Sequence, residues 1–157
     1  MSVSQPVPSP VTVSLPDGST RQFDSLPTGY DVAASIGAGL AKAAIAVKVN
    51  GVQRDLYLPV EDGAKIEILT AKNPEGLEIM RHTTTAQLLA KAIKELYPEA
   101  KLAIGPTIDT GFYYDIEIAK PISADDLHRI EEKMLEYIKQ DVAVQREMWT
   151  REEAIAY

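Results

Sequence analysis

Alternating apolar and polar positions predict several short β-strands in the first part of the chain. These strands are expected over Val11–Leu15, Thr20–Phe23, Ala44–Val49, Val52–Leu58 and Lys65–Leu69. Apolar residues at helical spacing between the second and third strands predict one helix, which Asp31 is expected to cap and which runs to Leu40. A hairpin, a helix and further strands together predict a small β-grasp domain over residues 11–71.

The pattern changes after a short polar stretch around Pro74, which is the predicted boundary between two domains. Apolar residues then recur at helical spacing and predict a helix over Leu77–Leu96. Strands are expected over Lys101–Ile104 and Gly111–Ile118. Residues 74–157 are therefore predicted to form a second domain, so that the fold class of the whole chain is α+β.

The last part of the chain carries two helix-start signals. Ser123 is expected to cap a helix whose first turn is acidic. Its predicted apolar stripe consists of Leu127, Ile130, Met134, Leu135 and Ile138. The alternation over Val142–Trp149 predicts a strand, and the spacing of Thr150 and Glu153 is typical of a capping box that starts another helix.

Composition limits the class of protein and of chemistry. The 157 residues suit one medium domain or two small ones, and 45% hydrophobic residues are enough to build real cores. Because there is no cysteine, disulfides, a thiol nucleophile and thiolate metal ligands are excluded. No apolar run approaches about eighteen residues, so no membrane span and no secretory signal are expected. Residues 1–10 are rich in proline and serine and are expected to be a flexible tail.

The charge of the chain argues against non-specific binding of nucleic acid. The formal net charge is −7, of which residues up to Lys72 carry −1 and the remainder −6. Because an acidic chain repels phosphates at long range, DNA binding is not expected and any RNA contact must be local. Lys91, Lys94 and Lys101 are the best candidates for such a contact, and a solvated surface is the alternative interpretation.

The segment from Phe112 to Asp115 carries the most distinctive candidate chemistry. Gly105, Pro106 and Gly111 break the chain before it, and three aromatic residues in a row follow. On one short strand these rings would lie on both faces. Aromatic faces can stack on a base or a ribose, and phenol hydroxyls can reach polar groups of a ligand. The pattern is thus consistent with the wall of a binding pocket, or alternatively with a well-packed core strand.

Several separated motifs resemble the amino-terminal part of bacterial threonyl-tRNA synthetases. They are Leu15-Pro-Asp-Gly-Ser19, Asn50-Gly51, Thr70-Ala-Lys-Asn-Pro-Glu-Gly-Leu-Glu-Ile79, Arg81-His82 and the segment from Lys101 to Asp115. The resemblance covers nearly everything after residue 10. It implies a TGS domain, which is a β-grasp fold, from about Val11 to Ala71. It also implies the opening portion of a tRNA-editing domain from about Pro74, truncated at Tyr157.

The resemblance also implies a function. In that family the complete enzyme joins threonine to its tRNA with ATP and magnesium, its ligase core holds zinc, and its editing domain hydrolyses seryl-tRNA made in error. The chain is accordingly expected to be cytoplasmic and to bind threonine-specific tRNA together with the remainder of the synthetase. The sequence contains no P-loop and no metal-spacing motif. We therefore expect no cofactor and no metal in this chain, and no aminoacylation by it alone.

The resemblance assigns the editing chemistry to named residues. In the family, one helix carries two histidines at i and i+4, which position a water and the ester. His82 is the candidate for the first, Gln87 stands in place of the second, and this alignment needs one inserted residue before Ala86. Anchoring on Ala86-Gln87-Leu88-Leu89 instead puts Thr83 in the first place. Glutamine cannot exchange a proton at neutral pH, so ester hydrolysis by this chain alone is not expected.

The candidate binding residues match the floor and wall of the family's editing cleft. With Gln87 they are Gly105, Pro106, Gly111, Phe112, Tyr113, Tyr114 and Asp115. They are expected either to contact the 3′-terminal adenosine of tRNA or only to pack, and His128 is expected at the surface. The main hypothesis is the amino-terminal part of a threonyl-tRNA synthetase. The alternatives are a free-standing TGS-type module that binds RNA or protein without catalysis and, third, a trans-editing esterase.

Overall fold

The computed structural model describes residues 10–157 and divides them into two compact units. The first unit contains the chain up to Thr83 together with Pro106–Phe112. The second contains Thr84–Gly105 and Tyr113–Tyr157. Of the predicted tail, residues 1–9 lie outside the described residues.

Strands of the first unit form a two-stranded and a three-stranded antiparallel sheet, arranged as in a β-grasp fold. They are β1 (Val11–Ser14), β2 (Thr20–Phe23), β3 (Ala44–Val49), β4 (Val52–Asp55) and β5 (Ile66–Thr70). β1 pairs antiparallel with β2, and β3 lies between β4 and β5, antiparallel to both. A parallel bridge between Ser14 and Lys65 joins the hairpin to β5, and the Ser14 amide donates to the Ala64 carbonyl at 2.9 Å. The α+β class and the β-grasp fold are confirmed.

The helical region between β2 and β3 begins earlier than the sequence predicts. It comprises α1 (Gly29–Ile36) and, after Gly37, α2 (Ala38–Ala43). Thr28, and not Asp31, is the cap: its hydroxyl accepts the Asp31 amide at 3.2 Å, while the Asp31 carboxylate accepts the Thr28 amide at 2.8 Å. The predicted cap was wrong because Asp31 occupies the third helical position of a reciprocal capping box.

The core of the first unit lies between α1 and the sheet. Val13, Val32 and Val47 are fully buried there, one each from β1, α1 and β3. The strand predicted to run to Leu58 ends at Asp55, because the Asp55 carboxylate accepts the Tyr57 amide at 2.8 Å and turns the chain. The turn places Leu56 in the core, so buried and exposed side chains continue to alternate beyond the end of the strand.

Three further elements complete the first unit. They are α3 (Pro74–Thr83), β7 (Thr107–Ile108) and β8 (Gly111–Phe112), and β7 pairs with β8 in a hairpin. The second unit contains a π-helical segment (Thr84–Leu89), α4 (Ala90–Leu96), β6 (Lys101–Leu102), β9 (Ile116–Glu117), α5 (Ala124–Gln140) and α6 (Arg151–Ala156). The long predicted helix therefore starts at Pro74, and a π-helical segment divides it.

The core of the second unit joins α4 to α5. Ala92 and Ile93 pack against Ile130 and Tyr137. The predicted stripe on α5 was only partly right, because its other members Leu127, Leu135 and Ile138 are exposed whereas Met134 packs on the core. The apolar pattern missed Tyr137, whose phenol reaches the core edge and donates a hydrogen bond to Glu95. The Ser123 and Thr150 caps are both present as reciprocal capping boxes.

Three predicted strands differ from the structure. The strand over Lys101–Ile104 is only the two residues of β6, which pairs with β9. The strand over Gly111–Ile118 is divided into β8 and β9, because its two ends pair with different partners. Val142–Trp149 is not a strand: its side chains are exposed, and within residues 10–157 no strand pairs with it.

Candidate functional site

Gly105 packs directly against Tyr114 and Thr85 in the second unit. A Cβ atom at Gly105 would lie 2.5 Å from the Tyr114 ring carbon Cδ2 and 2.9 Å from the Thr85 methyl group. Thr85 is only 1% exposed. A hydrogen atom is therefore all that fits between the ring and the methyl group, and glycine is required for this close approach.

The backbone fixes Tyr114 opposite Gly105. Next to it, the Asp115 amide donates to the Ile104 carbonyl at 2.8 Å, and the Ala103 amide donates to the Asp115 carbonyl at 3.0 Å. Tyr113 and Tyr114 lie in the link before β9, with Tyr113 exposed and Tyr114 half-buried. The three rings therefore do not share one strand, which corrects the predicted arrangement.

Phe112 belongs to the first unit instead. It pairs with Thr107 across the β7–β8 hairpin, and Gly111 pairs with Ile108. Pro106 leads into this hairpin in the same unit. The predicted floor and wall residues are thus divided, with Gly105, Tyr113, Tyr114 and Asp115 in the second unit and Pro106, Gly111 and Phe112 in the first.

The π-helical segment holds Gln87 and Thr85. Its i→i+5 hydrogen bonds take in one residue more than a turn of α-helix, and such segments are frequent at functional sites. One alignment with the family motif needs an inserted residue before Ala86, and a π-helical turn is how a helix accommodates an extra residue. The Gln87 amide is exposed, where it can donate and accept hydrogen bonds.

The two histidines belong to different units. His82 lies near the end of α3 in the first unit and is exposed. Within residues 10–157, no hydrogen bond or ion pair holds its imidazole. His128 lies on α5 in the second unit, exposed, with Nε2 3.4 Å from a Glu132 carboxylate oxygen. Neither unit therefore contains two histidines that could act together on one ester.

Arg81 connects α3 to the hairpin within the first unit. Its Nη1 donates to the carbonyl of Ile108 at 3.2 Å and to that of Asp109 at 2.8 Å. The start of α3 and the hairpin enclose a cleft of about 500 Å³. Charged residues of both signs line it: Lys72, Glu75, Glu78, Arg81 and Asp109. Arg81 belongs to one of the family-like motifs, but its contact with the hairpin has no sequence signal, because sequence spacing does not reveal a hydrogen bond to a distant backbone carbonyl.

An ion pair fixes one wall of this cleft. Lys48 Nζ lies 2.6 Å from a Glu75 carboxylate oxygen. This hydrogen bond lowers the pKa of Glu75 and raises that of Lys48, so both groups stay charged around neutrality. In the described part of the chain, no three His, Cys, Asp or Glu side chains are grouped so that they could hold a metal ion.

The three lysines proposed for RNA contact are engaged within the second unit. Lys94 Nζ donates to the Pro98 carbonyl at 2.7 Å. Lys101 pairs with Glu117 at 3.0 Å, and the Lys91 ammonium lies 4.3 Å from the centre of the Tyr137 ring. An RNA phosphate would have to compete with these contacts for the lysine ammonium groups, although Lys101 and its partner Glu117 are largely exposed.

Comparison with known proteins identifies the first part of the chain. The TGS domain family matches residues 11–70, which contain the β-grasp strands β1–β5 together with α1 and α2. This part of the chain is a TGS domain. The predicted boundary near Ala71 and Pro74 stays a prediction, since the first unit also takes in α3 and the hairpin.

The chain as a whole is similar to the amino-terminal region of bacterial threonine–tRNA ligases. It is 52% identical over 146 residues to the one from Citrifermentans bemidjiense, covering 93% of this chain and 23% of that relative. It is 46% identical over 147 residues to the one from Rhodospirillum rubrum, covering 94% and 23%. The match to the Alkalilimnicola ehrlichii enzyme is 50% over 145 residues, covering 92% and 22%. The chain thus spans less than a quarter of the length of these relatives.

Two further observations concern the helices. Among residues 10–157, no helix is both long and apolar enough to cross a membrane. Thr85, which is buried against Gly105, was not predicted as a site residue. Its only sequence signal is the run Thr83-Thr84-Thr85, because consecutive β-branched residues fit an α-helix poorly.

Proposed function

We propose that this chain is the TGS and partial editing region of a threonine–tRNA ligase, and that it takes part in tRNA binding and in proofreading of seryl-tRNA in the cytoplasm. The observation that carries the proposal is the 52% identity over 93% of the chain, which extends well beyond the TGS domain. The TGS domain alone would not carry it, because it accounts only for residues 11–70.

The chain holds tRNA rather than cleaving its ester. The surface around Gln87, Tyr113 and Tyr114 offers an amide, phenol groups and ring faces, which suit stacking and hydrogen bonding to a terminal adenosine. Hydrolysis requires a group that moves a proton, and His82 has no second histidine in its unit. Aminoacylation, with its ATP, magnesium and zinc, belongs to the remainder of the synthetase.

A chimaera tests this function directly. The chain replaces the corresponding region of the Citrifermentans bemidjiense ligase, and aminoacylation with threonine and hydrolysis of seryl-tRNA are measured on the purified enzyme. We expect aminoacylation close to that of the parent and hydrolysis of seryl-tRNA that is retained, because the chain is proposed to act in proofreading when it is joined to the remainder of the synthetase. Loss of aminoacylation in a chimaera that is folded would contradict the proposal.

The isolated chain provides the second measurement. Fluorescence anisotropy should detect weak binding of threonine-specific tRNA that declines with salt, because contacts on an acidic chain are few and local. Turnover of seryl-tRNA by the chain alone, lost in His82→Ala, would instead support a trans-editing esterase. The TGS-type binding module without catalysis stays the alternative, and the single histidine in each unit favours it over the esterase.

A further inference from the structure

Two tyrosines stack on each other at the surface of the TGS domain. The ring centroids of Tyr30 and Tyr57 are 5.6 Å apart, and their planes differ by 27°. Tyr30 is 39% exposed and Tyr57 is 66% exposed. Stacking covers one face of each ring, and the remaining apolar ring surface is exposed to water, as it is for aromatic residues at recognition surfaces. This tyrosine pair lies outside the candidate site described above.

The tyrosine pair is pre-formed by the backbone around it. The Tyr30 amide donates to the Leu56 carbonyl at 3.0 Å, and the Val60 amide donates to the Pro27 carbonyl at 2.8 Å. A Cβ atom at Gly29 would lie 3.0 Å from the Leu56 carbonyl oxygen, so glycine allows the start of α1 to approach the loop after β4 this closely. A partner would therefore meet rings whose positions are already fixed, which reduces the entropy lost on binding.

Two carboxylates, Asp31 and Asp55, come from residues close to the tyrosine pair in the sequence, and the nearby cation Arg54 is engaged with Glu61. The Asp55 carboxylate accepts the Tyr57 amide at 2.8 Å, and Asp31 directly follows Tyr30. Hydrogen bonds from the Thr28 backbone and hydroxyl lower the pKa of Asp31, so it stays anionic near neutrality. Within residues 10–157, no ion pair involves Asp31 or Asp55, whereas Glu61 is paired with Arg54 at 3.1 Å. These carboxylates repel phosphate and attract cations.

We propose that the tyrosine pair is a docking site for an arginine-containing basic segment of a partner protein. A guanidinium group stacks on the exposed face of Tyr57 by a cation–π contact, which Arg forms more often than Lys because its planar group stacks on aromatic rings. Asp31 and Asp55 supply the charge that complements the segment. The proposal does not depend on the function proposed above, because it uses only the TGS domain.

The test uses the complete chain and a synthetic peptide of alternating arginine and glycine. Titration is followed by two-dimensional amide NMR, with a peptide in which glutamine replaces arginine as the control. We expect saturable shifts confined to Tyr30, Tyr57 and their neighbours. Tyr57→Ala should weaken binding about two- to fivefold, whereas Tyr57→Phe should bind nearly as the parent does because the ring face remains. Val52→Ala, at an equally exposed position of β4, should bind as the parent does.

Salt and RNA complete the design. Raising the salt from about 0.05 M to about 0.5 M should lower the affinity of the arginine peptide several-fold, because exposed charges are screened. Unaltered affinity in Tyr57→Ala, with an unfolding midpoint that shows the variant is folded, overturns the proposal. So does tighter binding of an oligouridylate to the same amides, which would make the tyrosine pair an RNA surface. Equal binding of the glutamine peptide would refute the role of charge.

Discussion

Gly76→Ala should destabilise the first unit even though it replaces a helical glycine with the best helix former. Gly76 is buried as the third residue of α3. A Cβ atom there would lie 2.0 Å from the Thr70 carbonyl oxygen, about 1 Å closer than Cβ atoms tolerate. That oxygen also accepts the Asn73 amide at 3.0 Å, so it cannot move without disturbing the turn before α3.

The magnitudes decide the sign of this effect. Alanine in place of glycine in a helix contributes about 1 kcal/mol of stability. Overpacking against backbone costs about 3 kcal/mol, because no side-chain rotation can relieve it. The net loss is about 2 kcal/mol, which lowers the unfolding temperature by about 4–8 °C for a chain of this size.

Thermal unfolding followed by circular dichroism checks the prediction, and Gly39→Ala is the matched control. Gly39 lies inside α2 with nothing within 4 Å of its added Cβ atom, so this variant should gain up to about 1 kcal/mol. Opposite shifts of the two midpoints are expected. If both variants were stabilised alike, the close approach of Thr70 to α3 would be wrong.

Three further predictions concern the second unit. Hydrogen bonds from the Ser123 hydroxyl and backbone lower the pKa of Asp126. The anionic carboxylate therefore stabilises the folded chain above its unfolded pKa of about 3.9, and this stabilisation is lost as the pH falls below that value. Asp126→Asn should accordingly make the unfolding midpoint less dependent on pH between about pH 5 and about pH 2.5. Gly105→Ala should lower the midpoint, whereas the control Gly111→Ala, which lies in the hairpin of the first unit with open space around it, should lower it less. Equal losses would refute the tight packing at Gly105. Leu135→Glu, at a 48% exposed position, should reduce concentration-dependent self-association in light scattering, and an unaltered profile would exclude this face.

Local signals predicted much of the fold. The alternation of Val11 and Val13 identified β1, because strand side chains alternate between core and solvent whatever lies farther along the chain. Ser123 and Thr150 identified helix starts for a similar reason, since a capping box involves only residues three apart. Signals of this kind need no knowledge of the partner element.

Predictions failed where the outcome depends on distant pairing. Val142–Trp149 has the alternation of a strand, but β structure requires a neighbour and none pairs with it in the described part of the chain. The segment around Tyr113 was expected to be one strand, and it changes partner instead, from β7 at Phe112 to β6 at Ile116. Strand propensity cannot reveal such a change.

The candidate site was predictable only in part for the same reason. The resemblance grouped Gly105 with Tyr114 as possible ligand contacts, but the 2.5 Å approach that makes glycine necessary is a tertiary contact. Their role in binding stays a prediction. The Tyr30–Tyr57 stack left no sequence signal at all, because the two residues are far apart in the chain and neither follows a recognisable motif.

The hairpin of residues 106–112 has a consequence for biosynthesis. It belongs to the first unit, yet the ribosome adds it only after the intervening residues Thr84–Gly105. The hydrogen bonds from Arg81 to Ile108 and Asp109 can form only when translation has passed this hairpin. The sheet can thus fold early during elongation, while the nascent first unit is completed later, after part of the second has already been made.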